Sequence, residues 1–139
     1  MARYDFGRTR FGLIYERLGY TQNNSAAPLT NFKSYDRNAF ALTATHQVGP
    51  GTFRAIYGRA QSGTCALVGG GACSTSGLGA QQYTLGYSYS FSKRTDLYGF
   101  FTRVANESAG TYQFANAAGI GAAAGAASTG IGLGMRHEF

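Results

Sequence analysis

A chain of 139 residues has material for one domain, yet only 13% of it is charged, 21 positions are Gly, and ten Tyr and ten Phe carry all the aromatic surface without one Trp. Ordinary soluble domains carry about twice that charge, so the composition speaks against a conventional water-soluble core. The net charge of +6 comes from ten Arg and two Lys against six acids; it suits anionic solutes, an anionic surface or nucleic acid, and only the placement of the arginines separates these.

In chain order, residues 2–6 read as the tail of a strand and 7–9 as a tight turn. Over 10–21, Phe11, Leu13 and Tyr15 alternate with Arg10, Gly12, Ile14 and Glu16, the two-residue period of a strand with unlike faces. The polar stretch 22–35 reads as a long loop. Strand 36–48 sets Phe40, Leu42, Ala44, His46 and Val48 against Arg37, Ala39, Ala41, Thr43, Thr45 and Gln47. A Gly49-Pro50-Gly51 turn leads into 52–61, where Phe53, Ala55 and Tyr57 oppose Arg54, Ile56, Gly58 and Ala60.

The next long loop, 62–79, holds Cys65 and Cys73; their spacing in a Gly/Ser/Ala-rich stretch without histidine fits a loop disulfide better than a metal site. Residues 80–91 alternate most clearly, Tyr83, Leu85, Tyr87, Tyr89 and Phe91 against Gln82, Thr84, Gly86, Ser88 and Ser90. After a turn at 92–95, strand 96–105 places Tyr98, Phe100, Thr102 and Val104 opposite Leu97, Gly99, Phe101 and Arg103, with rings on both faces and its apolar side ambiguous. A Gly/Ala-rich loop, 106–128, has too little bulk to build a core. The closing strand, 129–139, alternates Ile131, Leu133, Met135, His137 and Phe139 with Gly130, Gly132, Gly134, Arg136 and Glu138.

About seven antiparallel strands result, joined by connections that run short, long, short, long, short, long. Strands of roughly ten to thirteen residues exceed the usual soluble length of about five or six and match the roughly 9 to 11 of a tilted transmembrane strand. Short turns on one rim and long loops on the other are the arrangement of an outer-membrane barrel, the turns in the periplasm and the loops outside. No stretch is long, apolar and Gly-free enough for a spanning helix. This geometry puts Phe11, Phe53, Phe91 and Tyr98 beside short turns as an aromatic girdle, with Phe139 on the same rim.

Parity also sorts the arginines: Arg10, Arg37, Arg54, Arg103 and Arg136 fall opposite the apolar face, because an Arg facing lipid near the bilayer midplane costs about 2–4 kcal/mol. With Glu16 and Glu138 they are candidates to line a water-filled lumen whose field favours anions, although each Arg has the alternative of pairing with a carboxylate or covering backbone. Catalysis is not expected: His46 and His137 lie on the apolar parity, and the carboxylates sit on separate elements. Nucleic-acid binding is disfavoured because rings and arginines fall mainly on opposite faces. No metal and no cofactor are expected.

The stretches Tyr4-Asp5-Phe6-Gly7, Gln82-Tyr83-Thr84-Leu85-Gly86-Tyr87, Ser92-Lys93-Arg94-Thr95-Asp96-Leu97-Tyr98 and the ending Arg136-His137-Glu138-Phe139 resemble the Gram-negative general porins of the Neisseria, Bordetella and Burkholderia type. The resemblance implies an all-β, up-and-down transmembrane β-barrel of sixteen strands, assembled as a homotrimer in the outer membrane, through which small hydrophilic solutes and ions diffuse. It also implies that Phe139 belongs to the signal read by the outer-membrane assembly machinery. About seven strands cover less than half of such a barrel, and Met1 is followed by Arg3, Tyr4 and Asp5 without the apolar core of a secretory leader. Residues 1–139 therefore read as the single, incomplete C-terminal portion of a porin barrel whose parent is mildly anion-selective, the constriction loop lying in the missing part. The alternatives are a complete eight-stranded outer-membrane barrel with a structural or adhesive role, and a soluble barrel holding an apolar ligand.

Overall fold

The computed structural model describes residues 1–21, 32–70, 73–114 and 122–139. Eight strands form: β1 (Ala2–Phe6), β2 (Thr9–Thr21), β3 (Phe32–Val48), β4 (Gly51–Ala60), β5 (Thr64–Leu67), β6 (Ala80–Ser92), β7 (Thr95–Asn106) and β8 (Ala127–His137). Seven of them pair as an antiparallel meander in the order β1-β2-β3-β4-β6-β7-β8, while β5 lies off this path on β3. No helix in the described residues is long and apolar enough to cross a membrane.

The three short turns share one device. The carbonyl of the residue just before the ascending strand accepts an N–H from within, or just past, the strand that pairs with it: Arg8 O from Gln47 N at 3.0 Å, Pro50 O from Ser90 N at 3.0 Å, Arg94 O from Glu138 N at 2.9 Å. Each hydrogen bond carries the ladder past the turn, so the rim is tied together without long side chains.

Several boundaries differ from the alternation reading. The loop expected over 62–79 contains β5, which pairs with Phe32–Asp36 while β4 occupies residues 39–48 of the same edge of β3. Four residues without alternation give no periodic signal; β5 forms because β3 extends beyond β4 and offers an open edge. Gly63 makes the offset possible: its φ is +79°, and a side chain there would run into the Asp36 carbonyl. Residues 32–35, expected to be loop, belong to β3, whereas the rest of that loop, 22–31, lies outside the described residues. Residues 115–121 of the Gly/Ala-rich loop also lie outside them. Cys65 and Cys73 form a disulfide with their Cα atoms 5.8 Å apart, tying the start of β5 to the loop beyond it.

Directly opposed residues share a face, so the ladders assign both faces without appeal to hydrophobicity. One row runs Tyr4, Phe11, Ala44, Ala55, Leu85, Phe101, Ile131; the neighbouring row on the other face runs Asp5, Arg10, Thr45, Arg54, Gly86, Phe100, Gly132. Apart from three glycines, only Ala80, Val104 and Thr102 are buried among the described residues, while Ile131 and Leu133 stand 77% and 86% exposed. A water-soluble sheet would forfeit about 1.5–3 kcal/mol for each large apolar side chain left in this way. That face calls for an apolar cover.

Candidate functional site

The polar face carries the candidate site. In β1, Arg3 and Asp5 alternate with Tyr4 and Phe6, and the turn after Phe6 brings Arg10 back opposite Asp5. The Asp5 carboxylate accepts from Arg3 Nε at 2.9 Å and from Arg10 Nε at 2.6 Å, an exposed three-charge cluster with one net positive charge. Two strands away on the same row, Arg54 donates from Nη1 to Ser88 Oγ at 2.7 Å, and no carboxylate within the described residues ion-pairs with it. Arg37, near the loop end of β3, packs with its guanidinium carbon 5.2 Å from the centre of the Tyr112 ring.

At the opposite end of the sheet the balance reverses. Arg136 is ion-paired with Glu138, and Asp96 lies directly across the ladder from Arg136, so two acids face one cation. Glu138 itself sits just past the end of β8, held by its backbone N–H to Arg94 O. Glu16 is exposed on the polar face across from Ala39.

Two candidates change faces. Arg103, expected beside the other arginines, lies opposite Tyr83 and Thr129 on the side of Leu97 and Phe101, and donates to Thr129 Oγ1 at 3.4 Å. Tyr98, expected in the girdle, lies opposite Ser88 and Gly134 on the polar side. The cause is steric as well as register-borne: the Phe100 and Tyr98 rings cover Gly132 and Gly134, and a Cβ at either Gly would collide with them. The glycines of β8 make room for the aromatic rings of β7, and this fixes which set of rings faces inward. Arg103 sits near the loop end of its strand, where the cost of an Arg facing lipid falls to about 0–1 kcal/mol.

Of the other girdle residues, Phe11 and Phe53 lie on the apolar face; Phe53 packs on Tyr87 with ring centres 4.6 Å apart. Phe91 falls at a register shift between Ser90 and Ser92, so its strand parity no longer specifies its direction. His46 and His137 prove to be rim residues, each Nδ1 hydrogen-bonded to the Thr opposite, Thr9 at 2.8 Å and Thr95 at 3.0 Å. Phe139 lies past β8, fully exposed, its ring edge-on to His137 at 4.9 Å.

Sequence reasoning missed the residues that roof the loop end of the polar face. Glu107 gathers three connections: its carboxylate accepts from Ser62 Oγ at 2.8 Å and Gly79 N at 3.2 Å, with Arg59 Nη2 4.0 Å away. Asn106 donates to Tyr112 O at 2.8 Å and Ala126 O at 2.7 Å, and accepts from Tyr112 N at 2.9 Å. Together they fold residues 107–114 over the polar face, where Val104 and Thr102 are buried beneath them. No local pattern marks these contacts. Arg3, Asp5 and Asp96, by contrast, were accessible to the same parity argument as the other charges.

A comparison with family models matches residues 1–109 to one described as Gram-negative porin. Comparisons with curated proteins and with solved structures give no match. The matched stretch covers β1 to β7 and the Arg3, Asp5, Arg10 and Arg54 portion of the polar face.

Proposed function

The chain belongs to the Gram-negative porin family, whose members reside in the outer membrane, and on that premise we propose that it forms the C-terminal portion of a barrel enclosing a water-filled channel for small hydrophilic solutes and ions. The observation that carries this reading is the two-sided sheet: Leu13, Leu42, Leu85, Phe101 and Leu133 occupy one face, Arg10, Arg54, Thr84 and Ser88 the other. β1 and β8 stand at the two ends of the sheet order and do not pair with each other. In hydrocarbon every unpaired backbone group costs several kcal/mol, so further strands must cover both edges. A sixteen-stranded barrel supplies them; a complete eight-stranded barrel, which would need β1 and β8 to meet, finds no support in the pairing.

The channel prefers anions. Arg37 and Arg54 lack carboxylate partners among the described residues, and the Asp5 cluster keeps a net positive charge, which outweighs the acidic surplus around Arg136. Arg103, facing the other way, contributes little. In planar bilayers under a salt gradient, discrete conductance steps with an anion-side reversal potential are expected. Arg54→Glu changes the local charge by two units; at about 8 Å in water and physiological salt this disfavours the anion and favours the cation roughly twofold each, lowering the anion-to-cation permeability ratio about three- to fourfold. Absence of steps would overturn the channel, and an unmoved reversal potential the placement of Arg54.

The barrel assembles as a homotrimer with outer-membrane lipid around its apolar face, and Phe139 is the residue presented to the assembly machinery, a role its exposure permits. Deleting Phe139 lowers the heat-modifiable trimer recovered from outer membranes without changing synthesis; an unchanged yield sinks this role.

A further inference from the structure

We propose that the loop end of the polar face carries a binding site for a small anion built on an aromatic ring, of the aromatic carboxylate class. Its physiological meaning, capture of such a solute at the outer mouth, rests on the channel reading; its chemistry does not. A cavity of about 440 Å³ lies there, bounded by Tyr20, Lys33, Tyr35, Arg37, Leu78 and Tyr112, within the range of small-molecule sites.

Three rings supply its walls. Tyr20 and Tyr35 are directly opposed across the β2–β3 ladder, their rings stacked with centres 6.3 Å apart and planes 22° apart. The third, Tyr112, is brought over from the last loop, and the Arg37 guanidinium carbon lies over its ring, 5.2 Å from the centre. These walls are already fixed in place: Tyr35 Oη donates to Ser62 O at 3.0 Å, and the backbone of Tyr112 is clamped on both its N–H and its carbonyl by Asn106. A site that needs no ordering loses little affinity to entropy.

The charge within it is unspent. Arg37 Nε is buried and has no hydrogen-bond partner among the described residues, whereas buried donors are ordinarily satisfied. No carboxylate among those residues ion-pairs with Arg37 or Lys33, and Glu107, the acid of the surrounding loops, is occupied by Ser62, Gly79 and Arg59. A planar carboxylate matches the guanidinium fork. An inorganic anion would pair with Arg37 but leave three rings uncovered, and a neutral aromatic would stack yet leave the guanidinium charge unpaired. The ligand that meets both demands carries a carboxylate on a ring.

The probe is para-fluorobenzoate, observed by fluorine NMR against the detergent-solubilised porin, with single-channel recording on the same preparation. The proposal expects line broadening that benzoate displaces and that acetate and benzyl alcohol at equal concentration do not. Arg37→Gln should weaken binding about tenfold or more, Arg37→Lys should fall between, and Tyr112→Ala, which removes a ring from a loop outside the strands, should weaken it several-fold. Equal broadening with Arg37→Gln, or displacement by acetate as effective as by benzoate, overturns the site. Should one variant fail to fold, the competition series and Tyr112→Ala still decide. Open channels without binding would sink the site alone; binding without channels would sink the channel alone.

Discussion

Leu85→Arg is expected to stop the barrel from inserting, whereas Ile56→Arg, one strand away at nearly the same depth, should insert almost as well as the natural sequence. Hydropathy alone treats the two substitutions alike, since each replaces a branched apolar side chain in mid-strand by Arg. The ladder separates them. Leu85 lies between Ala55 and Phe101 in the apolar row, more than half exposed and dependent on lipid for cover. Ile56 lies between Thr43 and Thr84 on the polar face. A guanidinium at Leu85 costs about 2–4 kcal/mol near the midplane, roughly a 30- to 1,000-fold fall in the folding equilibrium. At Ile56 it enters channel water, and the change stays within about 0.5 kcal/mol. Urea titration of the complete porin in lipid vesicles measures both. Equal losses would mean that both faces meet the same medium, which no membrane barrel permits.

The second large effect concerns Asn106. Its half-buried side chain makes three hydrogen bonds, two as donor and one as acceptor, and holds residues 107–114 inward. At roughly 0.5–1.5 kcal/mol net apiece, Asn106→Ala should cost the loop about 2–3 kcal/mol, while the sheet, whose ladders it leaves intact, keeps its urea midpoint. Chymotrypsin should then cut at Tyr112 or Phe114, and para-fluorobenzoate should bind several-fold more weakly as the third ring wall is released. Asn106→Asp sharpens the test: it retains an acceptor for Tyr112 N–H but loses both donors, so it should behave much closer to Ala than to Asn. Persistent protection of the Tyr112 amide in both variants would show that the clamp lies elsewhere.

These two residues illustrate how far a linear reading reaches. Leu85 belongs to 80–91, where rings and Leu alternate strictly with Gln, Thr, Gly and Ser, and any register consistent with that alternation puts it on the apolar side. Asn106 ends β7 like many strand-terminal polar residues, and its partners Tyr112 and Ala126 are six and twenty residues away, so no window of sequence reveals its role. β7 stands between these cases. Its two faces carry similar apolar bulk, Tyr98 and Phe100 against Leu97 and Phe101, and only pairing with β6 and with the glycines of β8 resolves them. Arg103 and Tyr98 move to unexpected faces together, because one register decision turns every side chain of a strand at once.

Alternation of period two, strand length and the order of short and long connections by themselves determined an antiparallel sheet with one face for lipid and one for water, together with the rims and the siting of Arg10, Arg37 and Arg54. They succeed because side-chain direction in a strand is a local property of the backbone. The tertiary structure decided what depends on contacts between distant segments. It paired β5 with the spare edge of β3, fitted the rings of β7 over the glycines of β8, and seated Arg136 between two acids. It also folded the loop from Glu107 to Phe114 across to Arg37 and Tyr35. Those arrangements follow from shape and from hydrogen-bond partners that no stretch of the chain contains alone.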